Sequence, residues 1–324
     1  MMRILLTGVA GFIASKVADI LLAEGHAVVG IDNLNDAYDP RLKQHRLQGL
    51  LPREGFSFAR VDICDRPALD HLFAQLGPFD AVINLAARAG VRASVIDPWV
   101  YLDTNVTGTI NLLELCRRQG VGKFVLASSS SVYGGDNPQP YSEEQNTDRP
   151  ASPYAASKKA AETLCYSYHH LHGLDITVFR YFTVYGPAGR PDMAPLRFCR
   201  WIAEGEEVEV LGDGRQSRDF TYVDDIARGT VLGLKPLGYE IINLGGDRPA
   251  ELLRVVELLE QETGRSAHLV HRPADAADVR ATWARVDKAR ELLGWRPQVP
   301  LEQGVRRLVA WYRDNRELAR GLRL

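Results

Sequence analysis

Short apolar runs alternate along the first 180 residues with longer stretches in which apolar side chains recur every three or four positions. The short runs are hydrophobic at nearly every position, which predicts strands covered on both faces, as in a parallel sheet. They lie at Arg3–Leu6, Ala27–Ile31, Phe56–Val61, Ala81–Leu85, Lys123–Ala127 and Asp175–Arg180. Helical periodicity covers Gly11–Glu24, Pro67–Gln75, Pro98–Gln119 and Pro153–His172, lengths suited to right-handed crossovers between parallel strands. The fold class predicted is α/β, a doubly wound parallel sheet with helices on both faces.

After Phe179 the pattern changes. Glycine, proline and polar residues dominate Tyr185–Asp192, and a short strand is expected at Val208–Leu211. Glu240–Leu244 reads as a buried strand returning to the main sheet, and Pro249–Leu324 as two or three helices with a strand at His268–His271. The organisation expected is a nucleotide-binding domain over residues 1–181, rejoined by 221–247, and a smaller interleaved α+β domain from 182–220 and 248–324.

Strand Arg3–Leu6 runs into Thr7-Gly8-Val9-Ala10-Gly11-Phe12-Ile13-Ala14 and then a helix with Ile13, Val17, Ile20 and Leu21 on one face. Glycines there let the chain turn tightly and bring backbone N–H groups to a pyrophosphate at the helix N-terminus. Asp32, ending the next strand, lies at the distance where a carboxylate binds the adenosine ribose and repels a 2′-phosphate. The combination predicts a Rossmann-type domain using NAD rather than NADP. Asp62 reads either as an adenine neighbour or as an acid opening the helix at Pro67.

Tyr154 and Lys158 stand four residues apart on one face of a helix opened by Ser152 and Pro153. An ammonium beside a phenol favours the phenolate, giving a general base for a hydroxyl proton. Strand Lys123–Ala127 ends in Ser128-Ser129-Ser130-Ser131, at the carboxyl edge where open α/β sheets hold ligands, so Ser129 can share that proton. The spacing Y-x-x-x-K alone is common; the order glycine loop, serine, tyrosine, lysine is what carries the reading.

These residues, Gly8–Ala14, Asp32, Ser129, Tyr154 and Lys158, together with Arg180-Tyr181-Phe182, Tyr185-Gly186-Pro187, Arg218-Asp219-Phe220 and Val223-Asp224-Asp225, resemble the extended short-chain dehydrogenase/reductase family of nucleotide-sugar enzymes. The resemblance implies a catalytic trio of Ser129, Tyr154 and Lys158. It implies NAD contacts from Gly8, Gly11, Phe12, Ile13, Asp32, Asn33, Asp62, Ile63, Leu85, Ala86, Ala87, Asn105, Tyr154, Lys158 and Tyr181. Arg218 and Arg280 are similar to the family's UDP diphosphate ligands, a role suited to bidentate guanidinium. Two positions depart from the pattern: Asn84 stands where relatives often have His, and Arg88 where Gln is usual.

The same scaffold carries epimerases, 4,6-dehydratases and decarboxylases. Dehydratases place an Asp–Glu pair after the catalytic hydroxyl residue and decarboxylases a Glu two positions on; here Ser130 and Ser131 occupy those places. That leaves 4-epimerisation of a UDP-sugar through a transient 4-keto intermediate. Asn35–Asp39 with Arg41-Leu42-Lys43, Ala89-Gly90-Val91-Arg92, Phe182–Gly186 and Gly189–Met193 resemble UDP-glucuronate 4-epimerases more than UDP-galactose 4-epimerases. For a sugar carboxylate, the expected donors are Thr183 and Arg190, with Ser130, Ser131 and Arg92 beside them. The alternatives are a UDP-glucose/UDP-galactose 4-epimerase or a catalytically silent NAD-binding protein.

Composition narrows partners more than mechanism. A formal charge of −2 without a long basic run argues against nucleic acid, and no apolar stretch is long enough for a membrane span. Four widely spaced cysteines, without metal-ligand spacing, read as reduced thiols of a cytoplasmic protein with no metal. The family resemblance adds a homodimer through the helices Pro98–Gln119 and Pro153–His172.

Overall fold

A computed structural model describes residues 1–274 and 279–323. The first half runs β1 (Arg3–Thr7), α1 (Phe12–Ala23), β2 (Ala27–Ile31), α2 (Pro40–Leu50), β3 (Phe56–Ala59), α3 (Arg66–Leu76) and β4 (Ala81–Asn84). Then come α4 (Val91–Ile96), α5 (Trp99–Leu102), a π-helical turn (Asp103–Thr107), α6 (Gly108–Gln119), β5 (Lys123–Ser129), a 3₁₀ turn (Ser130–Tyr133), α7 (Pro153–His172) and β6 (Asp175–Tyr181). The second half holds β7 (Thr183–Tyr185), α8 (Ala194–Glu204), β8 (Glu207–Leu211), β9 (Ser217–Arg218), β10 (Phe220–Tyr222), α9 (Val223–Leu232) and β11 (Tyr239–Leu244). It ends with β12 (Ala250–Glu251), α10 (Leu252–Thr263), β13 (His268–Arg272), α11 (Asp287–Leu293), α12 (Leu301–Asp314) and α13 (Arg316–Arg320).

Seven parallel strands form the central sheet in the order β11-β6-β5-β4-β1-β2-β3, a Rossmann-type arrangement. Alternation along each strand divides the core between the two faces. Ile4, Leu6, Ile83, Val125 and Phe179 belong to one cluster, and Leu5, Val82, Phe124, Leu126 and Val178 to the other. β11 pairs with β6, so the chain returns to the main sheet, as its apolar run predicts. A third cluster, including Tyr185, Phe198, Val208, Val255 and Leu308, joins α8, α10 and α12 with the β8–β13 pair.

Several element boundaries move. The helix expected at Pro98–Gln119 runs from Trp99 to Gln119 with a π turn inside it, which adds a residue to that turn and carries Asn105 into the buried interior. The strand expected to reach Val61 ends at Ala59. Helix α2 has no counterpart in the hydropathy pattern, because two of its buried positions are the cations Lys43 and Arg46. After Pro249 four helices form among the described residues, rather than two or three. Helix α7 holds its predicted bounds, since Ser152 accepts the N–H of Ala155, Pro153 opens the first turn and Gly173 closes the last in the left-handed region.

Candidate active site

The glycine loop connects β1 to α1 at the centre of the sheet. Gly8 has φ +68°, and a Cβ there would stand 2.8 Å from the backbone nitrogen of Ala86, so the position admits only glycine. No side chain caps the N-terminus of α1 and its first turn holds no acid. Unpaired N–H groups at that end form an anion cradle, so the loop fits a pyrophosphate.

Asp32 follows β2 and is buried, accepting the N–H of Ala10 at 3.2 Å and of Leu34 at 2.8 Å. It therefore fixes the glycine loop as well as facing the ribose position. Asp62 accepts from the Asn33 side chain at 2.7 Å and from the N–H of Cys64 at 2.8 Å, next to buried Ile63. Phe12 and Ile13 open α1, and Leu85, Ala86 and Ala87 follow β4, with the Ala86 N–H held by Thr7 Oγ1 at 3.0 Å. Tyr181 ends β6, with its hydroxyl 2.6 Å from Thr230 Oγ1 in the core and its backbone at the carboxyl end of the sheet.

Asn84 and Asn105 are explained together. Thr7 Oγ1 donates to Asn84 Oδ1 at 2.7 Å, and Asn84 Nδ2 donates to Thr109 Oγ1 at 3.1 Å. Thr109 bonds the Asn105 carbonyl at 2.7 Å, and Asn105 Nδ2 reaches Ser157 Oγ on α7 at 2.9 Å. Asn105 also pairs with both the N–H and the carbonyl of Arg88. An amide at position 84 supplies one donor and one acceptor in fixed places, so this buried network ties the cofactor loop to the catalytic helix without a titrating ring. The half-buried Arg88 adds positive charge near Lys43 and Tyr101.

The catalytic candidates converge where β5 ends and α7 begins. Ser129 caps the 3₁₀ turn: its hydroxyl accepts the N–H of Ser131 at 3.1 Å and donates to Ser131 Oγ at 3.1 Å. Its side chain faces the phenol of Tyr154 closely enough to favour the phenolate, and the Tyr154 ring meets Tyr101 edge-on at 6.1 Å. Lys158, one helical turn on, donates to the Ala127 carbonyl at 2.8 Å. Burial raises the Tyr154 phenol above its ordinary value, against the opposing effects of the Ser129 hydroxyl and the Arg190 charge. The expected lowering of this phenol is therefore not reached, and Lys158 takes no part in opposing the rise because its ammonium is turned to the strand. Burial pulls Lys158 down to about 8, and the carboxylate of Glu162 opposes the fall.

Glu162 is a site residue that the sequence reading did not pick out. Tyr154, Lys158 and Glu162 recur every four residues on α7, and that spacing was the available signal. The Glu162 carboxylate is fully engaged, pairing with Arg180 through 2.8 Å and 3.0 Å bonds and accepting from Ser128 at 2.6 Å.

The expected substrate residues form two groups. Thr183 begins β7, Ser130 and Ser131 follow Ser129, and Arg190 sits on the loop after β7 within electrostatic reach of Tyr154. Arg190 is not open to a carboxylate alone, for it already grips Asp192 at 2.5 Å and 3.1 Å. Ser131 serves chiefly to hold Ser129. Arg92 stands exposed on α4 near Arg197. The second group lies further out: Arg218 Nη1 donates to the carbonyls of Ser217 at 2.9 Å and Arg280 at 3.3 Å, and Arg280 is exposed. Gly135, Gln139 and Tyr141 line the cavity beside Arg280.

Residues 4–245 match the NAD dependent epimerase/dehydratase family. The chain belongs to that family. Among relatives of this epimerase/dehydratase, a UDP-glucuronate 4-epimerase of Thermodesulfobacterium geofontis is 54% identical over 99% of both chains. A solved Bacillus cereus UDP-glucuronic acid 4-epimerase, in complex with UDP-glucuronic acid and NAD, superposes with a TM-score of 0.91 at 38% identity, covering 97% of this chain and 99% of that one. A Thermotoga maritima UDP-glucose 4-epimerase with UDP-glucose superposes at 0.89 with 33% identity, covering 97% and 99%.

Proposed function

We propose that the chain interconverts UDP-glucuronate and UDP-galacturonate by NAD-dependent 4-epimerisation. The observation carrying this reading is the convergence of Ser129 and Arg190 on the Tyr154 phenol, in a site where Ser130 and Ser131 stand in place of the acids a dehydratase or decarboxylase needs. The 54% identity to the Thermodesulfobacterium enzyme supports the uronate as substrate.

NAD, when bound, supplies a hydride acceptor that is restored in each turnover. Gly8, Gly11, Phe12 and Ile13 cradle its pyrophosphate, Asp32 and Asn33 its ribose, and Asp62 and Ile63 its adenine end. Tyr154 takes the proton of the sugar C4 hydroxyl and holds it on the phenol oxygen, while Ser129 orients that hydroxyl. The 4-keto sugar turns over while Arg218 and Arg280 keep the diphosphate anchored, so that the opposite face of C4 would meet the returning hydride, and Tyr154 gives its proton back to the C4 oxygen. Lys158, fixed to the Ala127 carbonyl, orients the nicotinamide ribose. A 4-keto uronate is a β-keto acid and loses CO₂ readily. Thr183, Ser130 and Arg190 hold its carboxylate so that the breaking C–C bond stays out of line with the ketone, Asp192 sharing the guanidinium.

In this reading residues 1–181 with 221–247 carry NAD, and 182–220 with 248–324 carry the UDP-sugar. The second range includes positions 275–278 and 324, which lie outside the described residues. The protein works in the cytoplasm, with its four cysteines reduced. It pairs with a second copy through the exposed apolar residues Val95, Ile96, Trp99 and Leu102 of α4 and α5, which pack beside α7.

The test is incubation with UDP-glucuronate and, separately, UDP-glucose, followed by proton NMR. UDP-galacturonate from the first alone is the expected result. UDP-galactose from the second alone keeps the mechanism and overturns the uronate pocket.

A further inference from the structure

Helix α2 follows the Asn35–Asp39 segment, whose sequence resembles uronate epimerases without an assigned role. Arg46, on this helix, is buried, and every one of its five N–H donors is directed at a partner. Nε and Nη2 both reach the Ala188 carbonyl, at 3.0 Å and 2.7 Å, and Nη2 also reaches the Gly189 carbonyl at 3.3 Å. Nη1 donates to the Ala10 carbonyl of the glycine loop at 3.1 Å and to the Tyr38 hydroxyl at 2.6 Å. The guanidinium also stacks near the Phe12 and Tyr38 rings, 5.9 Å and 5.4 Å from their centroids. One side chain therefore joins the cofactor loop to the turn that precedes Arg190.

That turn is strained. Ala188 has φ +53°, a left-handed conformation that costs an L-residue roughly 1 kcal/mol and persists only where its surroundings over-determine it. The doubled bond from Arg46 to the Ala188 carbonyl supplies that determination. Two residues on, Arg190 extends to Asp192 and toward the Ala89 carbonyl, with its charge reaching Tyr154.

We infer that Arg46 is a positioning residue that sets the Ala188–Arg190 turn from the glycine loop, and so fixes the uronate-selective guanidinium relative to the catalytic tyrosine. The inference rests on the uronate-epimerase reading and deepens it. Lysine at position 46 keeps the charge but is a point donor and cannot hold three carbonyls in a planar fork.

Calorimetric binding of UDP-glucuronate and of UDP by the NAD-loaded protein tests this in Arg46→Lys, Arg190→Ala and the double variant. Arg46→Lys is expected to weaken UDP-glucuronate about tenfold, the scale of one charge-assisted hydrogen bond, and to leave UDP affinity and NAD content unchanged. In the Arg190→Ala background the same change is expected to have no further effect, because both act through one contact. Equal losses in both backgrounds, equal weakening of UDP, or an unchanged UDP-glucuronate affinity each overturn the inference. Should Arg46→Lys not fold, Ala188→Gly frees the turn at a position where glycine is at ease. A loss of preference for UDP-glucuronate over UDP then supports the coupling, and an unchanged preference overturns it. Epimerisation by the unaltered protein decides the reaction separately, so the two readings fail in distinguishable ways.

Discussion

Ser129 shows how little separates positioning from chemistry at the scale of one residue. Its hydroxyl is locked by Ser131 and meets the Tyr154 phenol, where it opposes the upward pull of burial. Replacing it with alanine removes a hydroxyl that favours the phenolate, so the phenol rises further. In the proposed mechanism the phenolate is the base, so the acid limb of the pH–rate profile for Ser129→Ala is expected to move to higher pH, with kcat reduced by about 10²-fold at neutrality. A profile of lower amplitude but unmoved limb would show that Ser129 only positions the sugar. Ser129, Tyr154 and Lys158 were legible in the sequence because strand end and helix spacing bring them together almost unaided. The partner of Lys158 was not, because the Ala127 carbonyl meets it only through the tertiary fold, whereas Asp192, two residues after Arg190, lay within reach of the sequence and was passed over. The expectation that Lys158 itself lowers the phenol failed because its ammonium turns to the Ala127 carbonyl.

Helix α7 is an ordinary element in its caps and an unusual one in its buried stripe, which runs Tyr154, Lys158 and Glu162 across the edge of β5. Glu162 and Arg180 are both 2% exposed and paired bidentately, while the Arg180 guanidinium lies 4.8 Å from the Tyr133 ring centroid. Glu162→Gln leaves that guanidinium buried without its countercharge, a change expected to cost about 3–5 kcal/mol in urea unfolding. It also removes the charge that sustains the Lys158 ammonium. Lys158, at about 8 in the folded protein, then falls lower, and the alkaline limb of the pH–rate profile moves to lower pH. An unmoved limb with the same stability loss would confine Glu162 to the scaffold. At this scale hydropathy found the elements that bury apolar side chains and missed those that bury charge. Helix α2 places Leu42, Lys43, Arg46, Leu47 and Leu50 inward with helical spacing, yet reads as polar because two of the five are cations. The π turn was invisible for a different reason: helical periodicity tolerates one extra residue, and only the buried contacts of Asn105 require it.

At the scale of the whole molecule, the charged and polar surface is interrupted where α4 and α5 lie beside α7. Ile96 is 87% exposed, Trp99 73%, Val95 60% and Leu102 40%. Exposed apolar residues gathered on two adjoining short helices mark an interaction surface rather than the scattered exposure any protein shows. Tyr154 opens α7, against which α4 and α5 pack, so a partner covering them would brace α7 from outside, while the Asn105 network braces it from within. A two-fold pairing makes this face self-complementary, and a stable dimer needs about 800 Å² from each copy. Trp99→Glu places one charge on each side of the two-fold axis, close to its mate and stripped of water. It is expected to convert a dimer at micromolar concentration into a monomer in light scattering, with little change in far-UV circular dichroism because Trp99 contributes nothing to the core. Thermal unfolding gives the second readout: the midpoint of the unaltered protein should rise with concentration, as mass action requires, and that dependence should vanish in the variant. A concentration-independent midpoint in the unaltered protein, with a monomeric scattering mass, would instead leave this face for a different partner.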